Sequence, residues 1–111
     1  MHSYYVVFHV DENARWGITL TNVTNTLDSG DDIGIAVLTN SEAVRGLLPG
    51  AESAARITPL SDRGVEFIAC RNALRALGIA PDSLPGFVTV VPSGVVELVK
   101  RQAAGYAYIR P

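Results

Sequence analysis

The most reactive side-chain type in the sequence occurs once, as Cys70, where a strand pattern gives way to a helix pattern. Residues 65–69 form a short apolar-rich run typical of a buried strand, and Ala73, Leu74 and Leu77 then recur at helical spacing. The start of a helix favours negative charge, and cationic neighbours such as Arg71 favour the thiolate form of a cysteine. The position indicates a nucleophilic thiol. The alternative is a buried cysteine that packs as a small hydrophobe.

His9 is the other candidate for catalysis, because a Cys–His pair is a common nucleophilic arrangement. It lies near the carboxyl end of the first predicted strand, at the same sheet edge as Cys70. Strands lie about 4.8 Å apart, so two steps across the sheet separate the two side chains by roughly 10 Å. That distance favours a packed or loop-bonded histidine. A thiol without a neighbouring general base is better suited to holding and passing on a chemical group than to catalysing hydrolysis.

The sequence lacks the motifs that identify several other functions of α/β proteins. Residues 11–13 are Asp-Glu-Asn, unlike the hydroxyl- and glycine-rich phosphate loop of a flavodoxin, and no G-x-G-x-x-G turn is present. A response-regulator receiver would carry its aspartate where Cys70 stands. Lys100, the only lysine, lies in a predicted amphipathic helix, and His2 and His9 have no partner at metal-ligand spacing. We therefore expect no metal and no cofactor.

Composition limits the class of protein. A chain of 111 residues, 48% of them hydrophobic, predicts a single ordered domain over residues 1–111. No apolar run approaches the roughly 20 residues that span a membrane. The net charge of −2 and the absence of a basic stripe argue against nucleic acid as a partner. One cysteine cannot form an internal disulfide, and residues 1–8 do not read as a secretory signal, so we expect a cytoplasmic protein.

The elements that must position Cys70 alternate between strand and helix. We predict strands at residues 4–10, 33–38, 65–69, 87–91 and 106–109. Helices are expected at residues 13–27, capped by Asp11; from Asn40 or Ser41 to 48; at 59–63, with Thr58 as N-cap; from about 71 to a C-cap at Gly78; and from Ser93 or Gly94 to Gly105. The last helix should bury Val95, Leu98 and Val99. This order predicts an α/β fold with a mostly parallel sheet, helices on both faces and the final strand at an edge beside the first.

Four segments carry a resemblance to a known family: VVFHVDENARW at residues 6–16, LTNVTNTL at 20–27, GVEFIACRNAL at 64–74 and the ending at 90–111. They resemble the DsrE/DsrF-like family of small sulfur-relay proteins, which includes the DsrE and TusD subunits and the YchN-like proteins. The resemblance implies a three-layer α/β/α fold around a five-stranded parallel sheet, and trimers or hexamers. It also implies a persulfide on a cysteine at the position of Cys70.

Together, these observations predict a small cytoplasmic sulfur carrier. Cys70 is the expected catalytic residue, with Arg71 and Asn72 as the expected substrate-binding residues, and the positive charge of Arg71 could steer anionic sulfur donors. Sulfur-donor and sulfur-acceptor proteins are the expected partners, with neither nucleic acid nor membrane involved. A short terminal strand, exposed tyrosines and the apolar composition predict a homo-oligomer. The alternative is a non-catalytic oligomeric binding or scaffold protein in which Cys70 is structural, and the residues leave open whether the protein is an enzyme.

Overall fold

A single parallel sheet organises the chain, and the computed structural model describes residues 1–111. The five strands are β1 (Tyr4–Val10), β2 (Ile33–Thr39), β3 (Glu66–Cys70), β4 (Thr89–Val91) and β5 (Ala107–Ile109). They are ordered β4-β3-β2-β1-β5, and every pairing is parallel. The predicted strands are confirmed, with ends shifted by one or two residues, and the last strand lies at the edge beside β1.

Four α-helices and three 3₁₀ segments connect the strands. The α-helices are α1 (Trp16–Leu27), α2 (Ala54–Asp62), α3 (Arg71–Ala76) and α4 (Gly94–Ala103). The 3₁₀ segments are Asn13–Arg15, Ser41–Leu47 and Pro81–Ser83. None of the helices has the length and apolar character needed to cross a bilayer.

The two faces of the sheet are covered unequally. One face carries a core of 18 buried residues, to which α1, α2, α3 and the Ser41–Leu47 segment all contribute. The other face has a core of 6 buried residues, and α4 contributes its Leu98. Alternate residues of a strand point to opposite faces, so Phe67 and Ala69 lie in the larger core while Ile68 lies in the smaller. The α/β/α layering is therefore unequal, with α1, α2 and α3 on one face of the sheet and α4 on the other.

Helix α4 is anchored at its C-terminal end by Arg101. Its guanidinium donates to both carboxylate oxygens of Glu66 at 2.8 and 3.0 Å, and to Glu97 at 2.7 Å. It also donates to the hydroxyl of Tyr106 at 3.1 Å. These bonds connect α4 to the start of β3 and to the residue before β5.

The predicted apolar face of α4 is only partly right. Leu98 is buried, but Val95 and Val99 are 62% and 63% exposed, and Val96 is exposed as well. The reason is geometric, since a single helix lying on a sheet buries a narrow stripe and leaves its flanks outward. The helix thus presents apolar side chains to solvent.

Two of the predicted caps are wrong, and a third is right in position only. Asp11 bonds Arg110 at 3.0 Å instead of capping a helix. Asn40 is the N-cap residue of its 3₁₀ segment, as expected, but its side chain makes no capping hydrogen bond. Helix α2 does not start at Pro59 but at Ala54, with the proline inside it. Burial of Ile57 in the core offsets the hydrogen bond that the proline removes.

Candidate functional site

Cys70 closes strand β3 and is also the N-cap residue of α3. Its backbone is extended, with φ −78° and ψ 117°, and its side chain makes no capping hydrogen bond. Because Ile68 lies in the smaller core, strand alternation places Cys70 on the same face, under α4. The residue is only 6% exposed and forms no disulfide. The thiol is therefore a shielded group at the carboxyl end of the sheet.

The first turn of α4 packs directly on Cys70. A Cβ atom added at Gly94 would stand 3.2 Å from Cys70 Cβ and 3.3 Å from Asn40 Cβ, so glycine permits this close approach. Ser93 caps the helix, and its hydroxyl accepts from the backbone N–H of Val96 at 3.4 Å. Sequence reasoning associated the thiol with the start of α3 alone. In the structure the side chain faces the start of α4 as well.

Arg71 and Asn72, the predicted substrate-binding residues, are exposed on the first turn of α3. Neither side chain forms a hydrogen bond or an ion pair, so both are free to contact a ligand. Leu74 anchors α3 in the larger core, on the opposite face from Cys70. The structure thus keeps both residues next to Cys70 in the chain but in a different layer from its side chain, and their role stays a prediction.

His9 forms no pair with Cys70 and is hydrogen-bonded on both sides. Its Nε2 lies 2.9 Å from Asn40 Oδ1, and its Nδ1 lies 2.7 Å from the hydroxyl of Tyr108. The prediction of a packed or loop-bonded histidine is confirmed. Sequence reasoning missed Asn40, Tyr108 and Gly94. Strand alternation could have placed Asn40 on the face of Cys70, but the helix covering that face is not readable from it.

A cleft of about 530 Å³ lies away from Cys70, between α1, α2 and the Ser41–Leu47 segment. Its walls include Arg45 and Arg56, and its floor includes Trp16 and Gly46. Arg56 donates only to neutral oxygens, and Arg45 has no hydrogen bond or ion pair. No group of three or more His, Cys, Asp and Glu side chains is arranged for a metal ion. The cleft thus holds two arginines without carboxylate partners, together with the carboxylate of Glu52.

Comparison with known proteins gives a consistent result for the whole chain. A model of the DsrE/DsrF-like family matches residues 2–111. The structure of MTH1491, a protein of unknown function from Methanobacterium thermoautotrophicum, is similar at 40% identity and a TM-score of 0.93. That match covers 98% of this chain and 100% of the other. None of the curated proteins matches the sequence.

More distant structures share the fold. The ychN protein from E. coli has 14% identity and a TM-score of 0.82, over 97% of this chain and 99% of that one. BT1422, a conserved protein of unknown function from Bacteroides thetaiotaomicron, has 13% identity and a TM-score of 0.78, over 96% and 94%. At these identities the likeness concerns the arrangement of the sheet and helices alone.

Proposed function

The chain belongs to the DsrE/DsrF-like family, and from this membership we propose that it is a cytoplasmic sulfur carrier that holds a persulfide on Cys70. The family is generally linked to sulfur relay. The observation that carries the proposal is the position of Cys70, at the carboxyl end of a parallel strand, where α/β proteins place their chemistry. The first turn of α4 shields the residue, and this suits storage of a reactive group.

The loading step needs no oxidant, because the sulfur moves as sulfane sulfur. The Cys70 thiolate attacks the terminal sulfur of a donor persulfide, R–S–SH, and a new S–S bond forms at Sγ. The donor S–S bond breaks, and its electron pair leaves on the donor thiolate, R–S⁻. The products are Cys70–S–SH and R–S⁻, so atoms and charge balance. Transfer to an acceptor thiolate repeats the same exchange with Cys70 as the leaving group.

Arg71 and Asn72 are proposed to contact the donor. Both are exposed beside Cys70 in the chain, and a guanidinium attracts anionic persulfides and polysulfides. We expect Arg71→Ala to slow loading by anionic donors, and the slowing to be larger at low salt, where screening is weaker. Arg75→Ala, one helical turn further from Cys70 on the same exposed helix, is the matched control with a smaller expected effect.

Intact-mass spectrometry tests the carrier proposal. Reduced protein is incubated with polysulfide and separated from excess reagent, and its intact mass is then measured. We expect a gain of one sulfur atom, reversed by dithiothreitol and absent in Cys70→Ser, because no other thiol is present. Wild-type protein that gains no sulfur while folded, yet reacts after denaturation, would contradict the proposal and leave Cys70 as a packing residue.

A second candidate function is binding of a small anion in the cleft of Arg45 and Arg56, with Cys70 purely structural. The supporting observation is that neither guanidinium has a carboxylate partner, although the cleft is large enough for a metabolite-sized ligand. Thermal-shift measurements with a panel of small carboxylates and phosphate esters test this candidate. Stabilisation lost in Arg45→Ala and Arg56→Ala, in a protein that takes up no sulfur, would favour it over the carrier.

We also propose that copies of the chain associate as a trimer or hexamer. The support is the apolar surface left on α4 by Val95, Val96 and Val99, on the face that this helix alone covers. Light scattering at micromolar concentration should give three or six times the chain mass. The double variant Val95→Glu and Val99→Glu should lower that mass, and a wild-type monomer would contradict the proposal.

A further inference from the structure

The cleft between α1, α2 and the Ser41–Leu47 segment has a closely packed floor. A Cβ atom on Gly46 would clash with the indole ring of Trp16, so glycine is what lets the ring lie against the backbone there. The indole N–H donates to the carbonyl of Ala43 at 3.0 Å, and the Ser53 hydroxyl donates to the carbonyl of Gly46 at 2.7 Å. Packing and hydrogen bonds therefore hold the floor in place without a ligand.

Three charged side chains line this cleft, and none of them has a charged partner. They are Arg45, Glu52 and Arg56. The ion pairs of the chain all involve other residues, so Glu52 and the two guanidinium groups lie beyond ion-pair distance of one another. Arg56 donates only to the carbonyl of Gly17 at 3.4 Å and to the hydroxyl of Thr21 at 3.2 Å. The cleft thus offers two cationic groups and one anionic group to a ligand.

This set of charges restricts the class of ligand. A simple dicarboxylate would bring its negative charge close to Glu52, and a simple cation would face two guanidinium groups, so like charges weaken the binding of both. A ligand with two carboxylates and one ammonium group has an opposite charge for each of the three side chains. Guanidinium–carboxylate and ammonium–carboxylate contacts are charge-assisted hydrogen bonds, which are stronger than neutral ones.

We propose that the cleft binds an amino dicarboxylate of the size of glutamate, with Arg45 and Arg56 binding its carboxylates and Glu52 binding its ammonium group. The inference rests on the ligand-binding role of the cleft that the second candidate function describes, and it narrows the ligand from any small anion to this class. It holds whether or not Cys70 carries sulfur. The cleft volume of about 530 Å³ lies within the range of roughly 300–1,000 Å³ that is typical of small-molecule sites.

Isothermal titration calorimetry with three compounds tests each charged group of the ligand separately. L-Glutamate carries all three groups, glutarate lacks the ammonium group, and 4-aminobutyrate lacks one carboxylate. We expect wild-type protein to bind L-glutamate about tenfold more tightly than either of the others, because each of them loses one charge-assisted hydrogen bond. Equal affinities for L-glutamate and glutarate would overturn the inference and leave a site for simple anions. Absence of binding by all three compounds would overturn it as well.

The variant Glu52→Gln keeps the shape of the side chain and removes its charge. We expect it to bind L-glutamate about tenfold more weakly than wild type, and glutarate at least as tightly. Asp82→Asn, which changes an exposed carboxylate outside the cleft, is the matched control and should bind like wild type. Arg45→Ala and Arg56→Ala should weaken binding of both compounds, whereas Arg75→Ala should not. Unchanged L-glutamate affinity in Glu52→Gln would contradict the proposed contact with the ammonium group.

The variant Gly17→Leu tests the location of the site without loosening the fold. Gly17 lines the cleft, and a Cβ atom there meets nothing within 4 Å, so a leucine side chain has open space to enter. Leucine also favours the helix more than glycine does. We expect folded Gly17→Leu to lose L-glutamate binding and to load sulfur on Cys70 like wild type. Retained binding would mean that the ligand lies elsewhere.

Measuring sulfur uptake and L-glutamate binding on the same wild-type sample separates the two functions. A protein that binds L-glutamate but takes up no sulfur would refute the carrier function and support the inference. A protein that takes up sulfur but binds no L-glutamate would refute the inference and leave the carrier function intact.

Discussion

The two ends of helix α4 meet the sheet through different chemistry. At its C-terminal end, Arg101 is bonded to two carboxylates, and its side chain is only 16% exposed. At its N-terminal end, Gly94 rests on Cys70 and Asn40 through van der Waals contact, with no ion pair. The C-terminal end of α4 is thus held by ion pairs, whereas its N-terminal end contacts a thiol and an amide without any ion pair.

The ion pairs of Arg101 can stabilise the fold because the guanidinium keeps its charge. The hydrogen bond to Glu66 raises the pKa of Arg101 above its ordinary value, a rise that burial opposes and Glu97 reinforces. The guanidinium therefore stays charged at any pH the protein meets. The C-terminal end of α4 therefore contributes to stability, whereas its N-terminal end lies beside the thiol that is proposed to react.

Removing the anchor should have the largest effect on stability. In Arg101→Ala, Glu66 and Glu97 lose their partner while remaining partly buried, so we expect the free energy of unfolding to fall by about 2–3 kcal/mol. Urea denaturation measures this change. Cys70 in the folded variant should load sulfur at the wild-type rate.

The matched control is Arg63→Ala, which breaks an ion pair with Asp28 whose side chains are 47% and 59% exposed. We expect a loss below about 1 kcal/mol, because exposed ion pairs contribute little. Equal losses in the two variants, or slow sulfur loading in folded Arg101→Ala, would break the distinction between the two ends of α4.

Crowding the reactive end should have a smaller effect on stability and a visible effect on the thiol. In Gly94→Val, the new side chain meets Cβ atoms fixed to two strands, so the start of α4 must move away. We expect a destabilisation of about 1–2 kcal/mol, as overpacking typically costs. Alkylation of Cys70 should become faster as its cover lifts. Gly17→Val, in a helix with open space at that position, should be neutral or stabilising in the same urea assay.

The sequence predicts the sheet better than it predicts the site. Continuous apolar runs such as Ile33–Thr39 mark buried parallel strands wherever they occur, because both faces of such a strand are covered. The position of Cys70 at a strand end follows from the same pattern. Pro59 misleads, because a local preference for the first helical turn is outweighed by burial of residues on either side of it.

The rest of the site depends on contacts between segments distant in sequence. His9 and Tyr108 are 99 residues apart, and only the parallel pairing of the edge strand brings them together. The hydrophobic residues of the amphipathic helix Gly94–Ala103 suggest a buried helix face, yet Val95 and Val99 are outward because one helix covers that side. Which helix lies over Cys70 is decided by chain crossover, and residue type alone carries no signal of it.

The smallest expected effect concerns a second charged contact at the amino ends of the strands, the exposed pair of Asp32 and His2. His2 Nδ1 lies 2.8 Å from the carboxylate, and the backbone N–H of Ser3 donates to it at 3.0 Å. The hydrogen bond from His2, followed by that from Ser3, lowers the pKa of Asp32 below its ordinary value of 3.8. A carboxyl whose pKa is lower in the folded state contributes stability above its unfolded pKa and loses that stability as the pH falls through the lowered value.

Thermal denaturation between about pH 5 and pH 2 measures how much this pair contributes to stability. We expect a small contribution because the pair is exposed, whereas the ion pairs of Arg101 are shielded from solvent. Asp32→Asn should melt slightly below wild type at the upper end of that range. The difference should disappear at the lower end, where the wild-type carboxyl is itself protonated. Asp31→Asn, a neighbouring exposed carboxylate with no ion-pair partner, should show no such convergence. A melting-temperature loss in Asp32→Asn as large as that in Arg101→Ala would mean that charge pairing, and not shielding, distinguishes the two ends of α4.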